Sequence, residues 1–378
     1  MARTYSADLW SSLFGGRSFF PELFRRLKGL SMKKSLILGA AISVVMLAAA
    51  AGANAQSWAD NTTVSGRIYA DVTDLSVKTN DVKQANSGFG TDVKRFYVGI
   101  DHKFNDIWFV NVTTDFTTSS YTTGSSTTSL DNVYIKKAYI EGKFSNAFDL
   151  KVGSTDLPWI PYAEGVYGYR YIENTLSDKA KVGTSADWGV HASGKLGPIF
   201  SYAISAVNGN GYKNTSRAKS VDVEGRLSAK LDQFDFAIGG YTGKLGATYG
   251  VATPHTANRF NALAAWSGDR AKIGVEYFSA NDYSAAIVKG AAEDKADGYS
   301  VFGGYRLTPV YTLIGRYDDV KPNKDTNSSK EDKYYNFGVQ YAAFKNVNFA
   351  LMMKHDELKS TGTKTVTDEI GIWSELRY

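Results

Sequence analysis

Between Asp156 and Ser185 the chain reads DLPWIPYAEGVYGYRYIENTLSDKAKVGTS, the densest gathering of side chains with recognition chemistry in the sequence. Trp159, Tyr162, Tyr167, Tyr169 and Tyr171 crowd around Arg170, while Lys179 and Lys181 stand against Asp156, Glu164, Glu173 and Asp178. Flat aromatic faces beside polar groups suit two tasks. They can stack on sugar rings whose hydroxyls pair with nearby polar atoms. They can also pin a loop to a wall, the buried area offsetting the ordering of about thirty residues. The second task is the expectation here, with rings such as those of Tyr162 and Tyr169 buried and their hydroxyls left at an aqueous surface.

Other chemistry is thin. Gly189 to Lys195 matches most of a phosphate loop, but Leu196 stands where Ser or Thr is required, and the stretch reads as a strand. Four histidines occur, at 102, 191, 255 and 355; with no cysteine and no close His pair, no zinc site is expected. His191 and Ser193 share one strand face, yet a Ser–His hydrolase needs a third polar group to orient the base, and none can be named. Asn323, Asp325 and Asn327 begin like a calcium loop, but Ser328 replaces the turn Gly and Tyr334 the bidentate Glu. No catalytic, cofactor-binding or metal residue is therefore expected, and the chain does not read as an enzyme.

The amino-terminal region divides from the rest. Met32-Lys33-Lys34, an apolar run from Ser35 to Ala50 and Ala53-Asn54-Ala55 compose a secretory signal peptide over residues 32–55. The run is shorter than the about 20 residues of a membrane helix. Residues 1–31 form an extra segment, explained by a start assigned upstream of Met32 or by an extended signal region. The sequence holds 43 basic and 38 acidic residues, and residues 1–55 contain seven and two of these, which leaves 36 of each in residues 56–378. That balance gives no reason to expect a nucleic-acid partner.

From Gln56 onward the pattern is strict alternation in segments of about ten residues, the signature of transmembrane β-strands. In 94–104, Phe96, Val98 and Ile100 lie on one parity, with Arg95, Tyr97, Asp101 and Lys103 opposite. Counting such segments gives sixteen strands, near 63–73, 93–104, 107–117, 133–144, 148–155, 186–196, 199–208, 220–231, 234–243, 258–266, 271–280, 298–307, 310–318, 332–342, 346–355 and 365–378. Tight turns such as Asn105-Asp106 and Gly197-Pro198 alternate with polar loops near 79–92, 118–131, 281–297 and 319–331. The expected fold is thus all-β, a sixteen-stranded antiparallel transmembrane β-barrel whose third long loop, 156–185, folds inward. The last strand carries Ile370, Ile372 and Leu376 on one parity and ends on Tyr378, and Tyr and Trp recur near strand ends as in interfacial girdles.

On these features the chain resembles Gram-negative general porins over nearly all of residues 56–378. LKVGSTDLPWIPYAE (150–164), YRYIENTL (169–176), DWGVHASGKLG (187–197) and YAISAVNGNG (202–211) resemble more narrowly the phosphate-selective porin O and P family. The resemblance implies an outer-membrane homotrimer in contact with lipid, delivered to the barrel assembly machinery through its last strand, that passes small hydrophilic solutes or ions. It implies that loop 156–185 is the constriction, with Arg170, Lys179, Lys181, Glu164, Glu173, Tyr162 and Tyr169 in it and Arg67, Arg95 and Arg226 among the lumen-facing cations. Acids share those faces, so an anion preference does not carry over from the family. A channel preferring phosphate or sugars, and a barrel serving as an anchor or adhesin, are the alternatives.

Overall fold

The computed structural model describes residues 55–123, 126–246 and 253–378. The expected segments 1–31 and 32–55 lie outside the described residues, apart from Ala55, which opens a short helix, α1 (Ala55–Asp60). The barrel begins at Thr62.

Sixteen strands form it: β1 (Thr62–Thr79), β2 (Gly88–Lys103), β3 (Trp108–Thr123), β4 (Ser126–Ser145), β5 (Phe148–Asp156), β6 (Ala186–Leu196), β7 (Phe200–Val207) and β8 (Asp222–Leu231). They continue with β9 (Phe234–Gly243), β10 (Ala257–Ser267), β11 (Ala271–Asn281), β12 (Lys295–Arg306), β13 (Tyr311–Lys321), β14 (Glu331–Phe344), β15 (Val347–Ser360) and β16 (Thr363–Arg377). Each pairs antiparallel with its sequence neighbours, and β16 pairs with β1 from Arg377↔Arg67 to Thr365↔Thr79. Closure satisfies every strand's ladder and leaves no edge, which lipid could not solvate. A two-residue stretch, Val82–Lys83, pairs with the end of β1 inside the first loop and is not a stave.

Alternation decides the two faces. On β1, Val64 and Val72 are exposed outward while Tyr69, Asp71 and Thr73 are buried inward; on β16, Ile370, Ile372 and Leu376 face out and Trp373 and Glu375 face in. A soluble sandwich would do the reverse, so the outer surface is a lipid-facing belt. Tyr277 opposes Tyr299 and Tyr317 opposes Tyr335, making a row on β11 to β14 toward the long loops. Six residues away toward the short turns, Tyr305, Tyr311 and Tyr341 begin a second row, the Tyr311 and Tyr341 rings 5.3 Å apart.

Besides two register shifts beside short turns, at Lys143/Ser145 and Ala342/Phe344, two bulges interrupt the alternation within strands. Tyr69 pairs with Arg95 and Ala70 with Val93, so Lys94 is an extra residue in β2. Thr113 pairs with Lys137 and Thr114 with Ile135, so Lys136 is an extra residue in β4. Each insertion switches the outward parity, from Phe96 to Val93 and from Ile135 to Ile140, and crowds two basic side chains where one would stand.

The long connections are L1 (80–87), L3 (157–185), L4 (208–221), L5 (244–256), L6 (282–294) and L7 (322–330). The expected second loop, 118–131, is instead strand on both sides: β3 and β4 pair as far as Thr123↔Ser126. Its Thr and Ser residues lack apolar alternation, but β-branched threonines fit a pleat, and an extension beyond the bilayer needs no apolar face. L6 carries a single helical turn, α4 (Ala285–Val288), after two helices in L3 described next.

Candidate pore constriction

L3 leaves β5 through Leu157, whose N–H bonds Ser185 O at 3.0 Å and closes the base of the loop. Pro158 and Pro161 prevent it from joining the sheet, since neither can donate to a ladder. Helix α2 (Ile160–Tyr167) follows, stopped by Gly168 at φ +80, a left-handed cap that a side chain would strain, with Gly168 N–H on Glu164 O. One turn of helix, α3 (Leu176–Lys179), precedes the return to β6.

L3 is laid against the inner faces of β8 to β16 by buried polar anchors. The Glu276 carboxylate accepts from Trp159 Nε1 (3.1 Å), Leu176 N (3.1 Å) and Ser177 Oγ (3.0 Å), tying both ends of the loop to β11. Glu224 on β8 accepts from Trp159 N at 2.8 Å. Arg316 on β13, fully buried with Asp318, donates to Asn174 O. Lys354 on β15 donates to Ile172 O at 2.6 Å and sits 3.4 Å from Glu173. Apolar contacts fill the spaces between. Trp159, Ile160 and Ala163 pack on Ala237, Leu263 and Ala265; Leu176 and Val182 on Phe278, Ala280, Ala296 and Val320; Tyr171 and Ile172 on Tyr69, Ile314, Met352 and Trp373. Burying each large side chain contributes about 1.5–3 kcal/mol, which makes L3 a fixed wall rather than a swinging flap.

On its other side L3 faces β1 to β4 and the end of β16 across an aqueous cavity of ≈ 850 Å³. Pro161, Glu164, Gly165, Gly168 and Arg170 line it from the loop; Arg67, Tyr69, Tyr97, Asp101, Lys136, Lys137 and Tyr139 line it from the wall. Arg170 is nearly enclosed by its partners Glu164, Asn174 and Asp178, the last at 3.1 Å. Burial alone would destabilise its charge, and the two carboxylates outweigh burial to hold the guanidinium firmly protonated. Lys137 pairs with Asp156, and Arg377 with Glu375 at 2.7 Å.

Of the residues expected at the constriction, Arg67, Glu164 and Arg170 line this cavity. Tyr162 and Arg226 lie beside a smaller space of ≈ 320 Å³, the guanidinium 4.1 Å from the ring centroid and bonded to Pro158 O. Arg95 is half-buried and donates to Lys94 O at 3.0 Å. Glu173, Lys179 and Tyr169 are spent on docking the loop: Lys179 pairs with Asp356 at 2.8 Å and lies over Tyr334, and Tyr169 packs edge-on to Tyr167. Lys181 is an exposed left-handed corner, φ 57. None of these four lines the ≈ 850 Å³ cavity: Glu173, Lys179 and Tyr169 dock the loop and Lys181 lies at its surface.

Lys136 was not singled out by alternation. It is buried to 7 % exposure, bonds Tyr97 OH at 3.2 Å and lies 4.7 Å from that ring's centroid. The signal for it is a phase slip: Val133 and Ile135 are apolar on odd positions, Ala138 and Ile140 on even ones. His191, weighed as a hydrolase base, has both ring nitrogens engaged, Nδ1 with Ser205 Oγ (2.8 Å) and Nε2 with Gly153 O (3.3 Å), so Ser193 is not its partner. The phosphate-loop look-alike is strand β6. In L7, Asn323 and Asn327 turn their amides to Asp294 and Ser360, as loop residues rather than calcium ligands.

A closed antiparallel barrel of sixteen staves, lipid-facing outside, with its third long loop laid along the inner wall, is decisive for the class of fold. The barrel has the porin fold. The sequence pattern of phosphate-selective porin O and P matches residues 63–160. Among solved structures, OmpF of Salmonella typhi is similar at 12% identity over 85% of this chain and 99% of that one, TM-score 0.60. An anion-selective porin from Comamonas acidovorans is similar at 9% identity over 83% and 99%, TM-score 0.58. OmpT of Vibrio cholerae, in a trimer form, is similar at 15% identity over 84% and 99%, TM-score 0.54. No curated protein sequence matches the chain. The porin barrel with its apolar belt belongs in the outer membrane of a Gram-negative bacterium.

Proposed function

We propose that this porin is a water-filled pore for passive diffusion of small hydrophilic solutes and ions, narrowed by L3, with a mild preference for anions. The observation that carries the preference is how the cavity's charges are paired. Lys137, Arg170 and Arg377 each meet a carboxylate. Arg67 and Lys136 meet, among the described residues, none within 4.0 Å; their contacts are Tyr69 OH and Tyr97 OH. A tyrosine ring takes water from a cation without cancelling its charge. Asp101, which accepts from Asn111 Nδ2 at 2.8 Å, opposes these two cations. Selectivity follows uncompensated charge at the narrow zone, so the excess is positive. The similarity to phosphate-selective porin O and P and to an anion-selective porin agrees with this sign.

Reversal potentials across planar bilayers in a potassium chloride gradient test the proposal. Chloride is expected to outrun potassium modestly, and Arg67→Glu with Lys136→Glu to invert the sign. A parent protein that prefers potassium, or that inserts without stepwise conductance, would refute it; saturating block by phosphate would instead favour a dedicated phosphate channel.

A homotrimer fits the outer surface. Both aromatic rows stop at β16 and β1: after Tyr341 and Phe349 come Ser374 and Ala70, and after Tyr335 and His355 come Asp368 and Ser76. Small residues in place of interfacial aromatics suit a wall that meets another subunit rather than lipid headgroups. Tyr378 N–H bonds Gly66 O at 3.1 Å, which ties this residue to β1.

A further inference from the structure

We infer that His255 of L5 and Asp282 and Glu293 of L6 form a binding site for a first-row divalent transition-metal ion, with zinc as the representative, that clamps these two loops together at the loop-side mouth of the barrel. One ligand atom from each residue lies within 4.8 Å of the others. His255 Nδ1 and Glu293 Oε1 are 3.3 Å apart. Two donors bonded to zinc at about 2.0–2.1 Å in a tetrahedron stand about 3.3–3.4 Å apart, so this pair already has the separation of one tetrahedral edge. An imidazole with two carboxylates leaves the fourth position for water. The nitrogen donor argues for a transition metal over calcium or magnesium, which prefer all-oxygen shells.

The scaffold holds the donors from behind. His255 N–H bonds Val288 O at 3.1 Å, and Val288 is buried with Tyr241 and Ala257 in a small core under the loops. Asp282 N–H bonds Asp294 O at 2.8 Å, while Asp282 Oδ1 accepts from Asp294 N at 3.0 Å, which orients the carboxylate and leaves Oδ2 for an ion. Asp294 in turn is fixed by Asn323 Nδ2, Asp325 N and the Thr326 hydroxyl. Lys295 at the start of β12 and Lys324 in L7 are engaged elsewhere, with Asp325 and Asp297. Glu293 is exposed and supplies the donor that completes the shell. The three residues come from two loops and no short motif joins them, so the sequence alone did not suggest the site.

Isothermal titration of zinc chloride into the untagged, chelator-treated protein in detergent tests the inference. One ion per chain is expected, with affinity reduced about tenfold or more in His255→Ala and in Asp282→Asn, and unchanged in His355→Ala, whose ring pairs with Asp368 on β15 and β16. Copper bound to the parent protein should show nitrogen coupling in its electron spin resonance spectrum, absent in His255→Ala. Retained heat-modifiable migration on gels shows that each variant's barrel is folded. No binding by the parent protein, or equal binding by His255→Ala, would overturn the site and leave His255 and Glu293 as an ordinary ion pair.

Discussion

Glu276 is the residue through which the constriction is most directly tested. Truncation to Ala leaves Trp159 Nε1 and Leu176 N without their acceptor; the Ser177 hydroxyl loses it as well, since Asn261 Nδ2 donates to Ser177 Oγ at 3.0 Å, but that hydroxyl is free to rotate. Two orphaned buried donors cost about 1–3 kcal/mol each, partly offset because the docked loop no longer desolvates a carboxylate. A net of about 2–4 kcal/mol raises the undocked population about thirty- to seven-hundred-fold, at 1.4 kcal/mol per factor of ten. The apolar clusters still hold the rest of L3, so the expected record is not a permanently wider pore. Glu276→Ala should show frequent excursions to a higher conductance in planar bilayers. Glu276→Gln should be intermediate, because its amide oxygen can serve Trp159 and Ser177 while its NH2 confronts the Leu176 N–H. A quiet Glu276→Ala trace at parental conductance, with the barrel folded, would show that L3 does not bound the conducting path.

The remaining expectations concern the barrel seam and the outer loops. A side chain at Gly66 would begin 1.9 Å from the Tyr378 ring, so Gly66→Leu should displace the terminal residue and lower the temperature at which the barrel unfolds on heated gels, with Gly90→Leu, which meets open space, as the unaffected control. Burial would raise the Asp294 carboxyl, but hydrogen bonds from Thr326, Asn323 and the Asp325 and Lys295 N–H groups outweigh it and hold the group below its ordinary 3.8. A depressed carboxyl gives stability that is complete above the ordinary value and lost as pH falls through the lower folded one, so amide exchange at Asp325 and Thr326 should accelerate only below about pH 4 after correction for intrinsic rates.

How far the sequence reaches can be judged residue by residue. Period-2 alternation fixes which side of each strand meets lipid, since a one-residue slip would invert every side chain; strands such as β6, at 186–196, and β9, at 234–243, were therefore legible to the residue. The prolines at 158 and 161 likewise excluded L3 from the ladder. The bulges at Lys94 and Lys136 were written as phase slips, in Val93 against Phe96 and Ile135 against Ala138, but a single slip gains meaning only when the neighbouring strand's register is known. The partners of the charged loop residues were not legible at all. Lys179 and Asp356, Lys354 and Glu173, and Glu276 and Trp159 are joined by the curvature of a closed sheet.

What the sequence determined by itself was thus the alternation and the strand count, both consequences of local periodicity in a chain that must satisfy its backbone in lipid. What only the tertiary structure decided was which cations have a carboxylate at ion-pair distance. Arg170 stands at the centre of the aromatic cluster and is neutralised by Glu164 and Asp178, whereas Arg67, Arg95 and Lys136 face tyrosines and carbonyls. Ion pairing depends on distances of a few ångströms between segments far apart in the chain, and no count of charges along a sequence contains those distances.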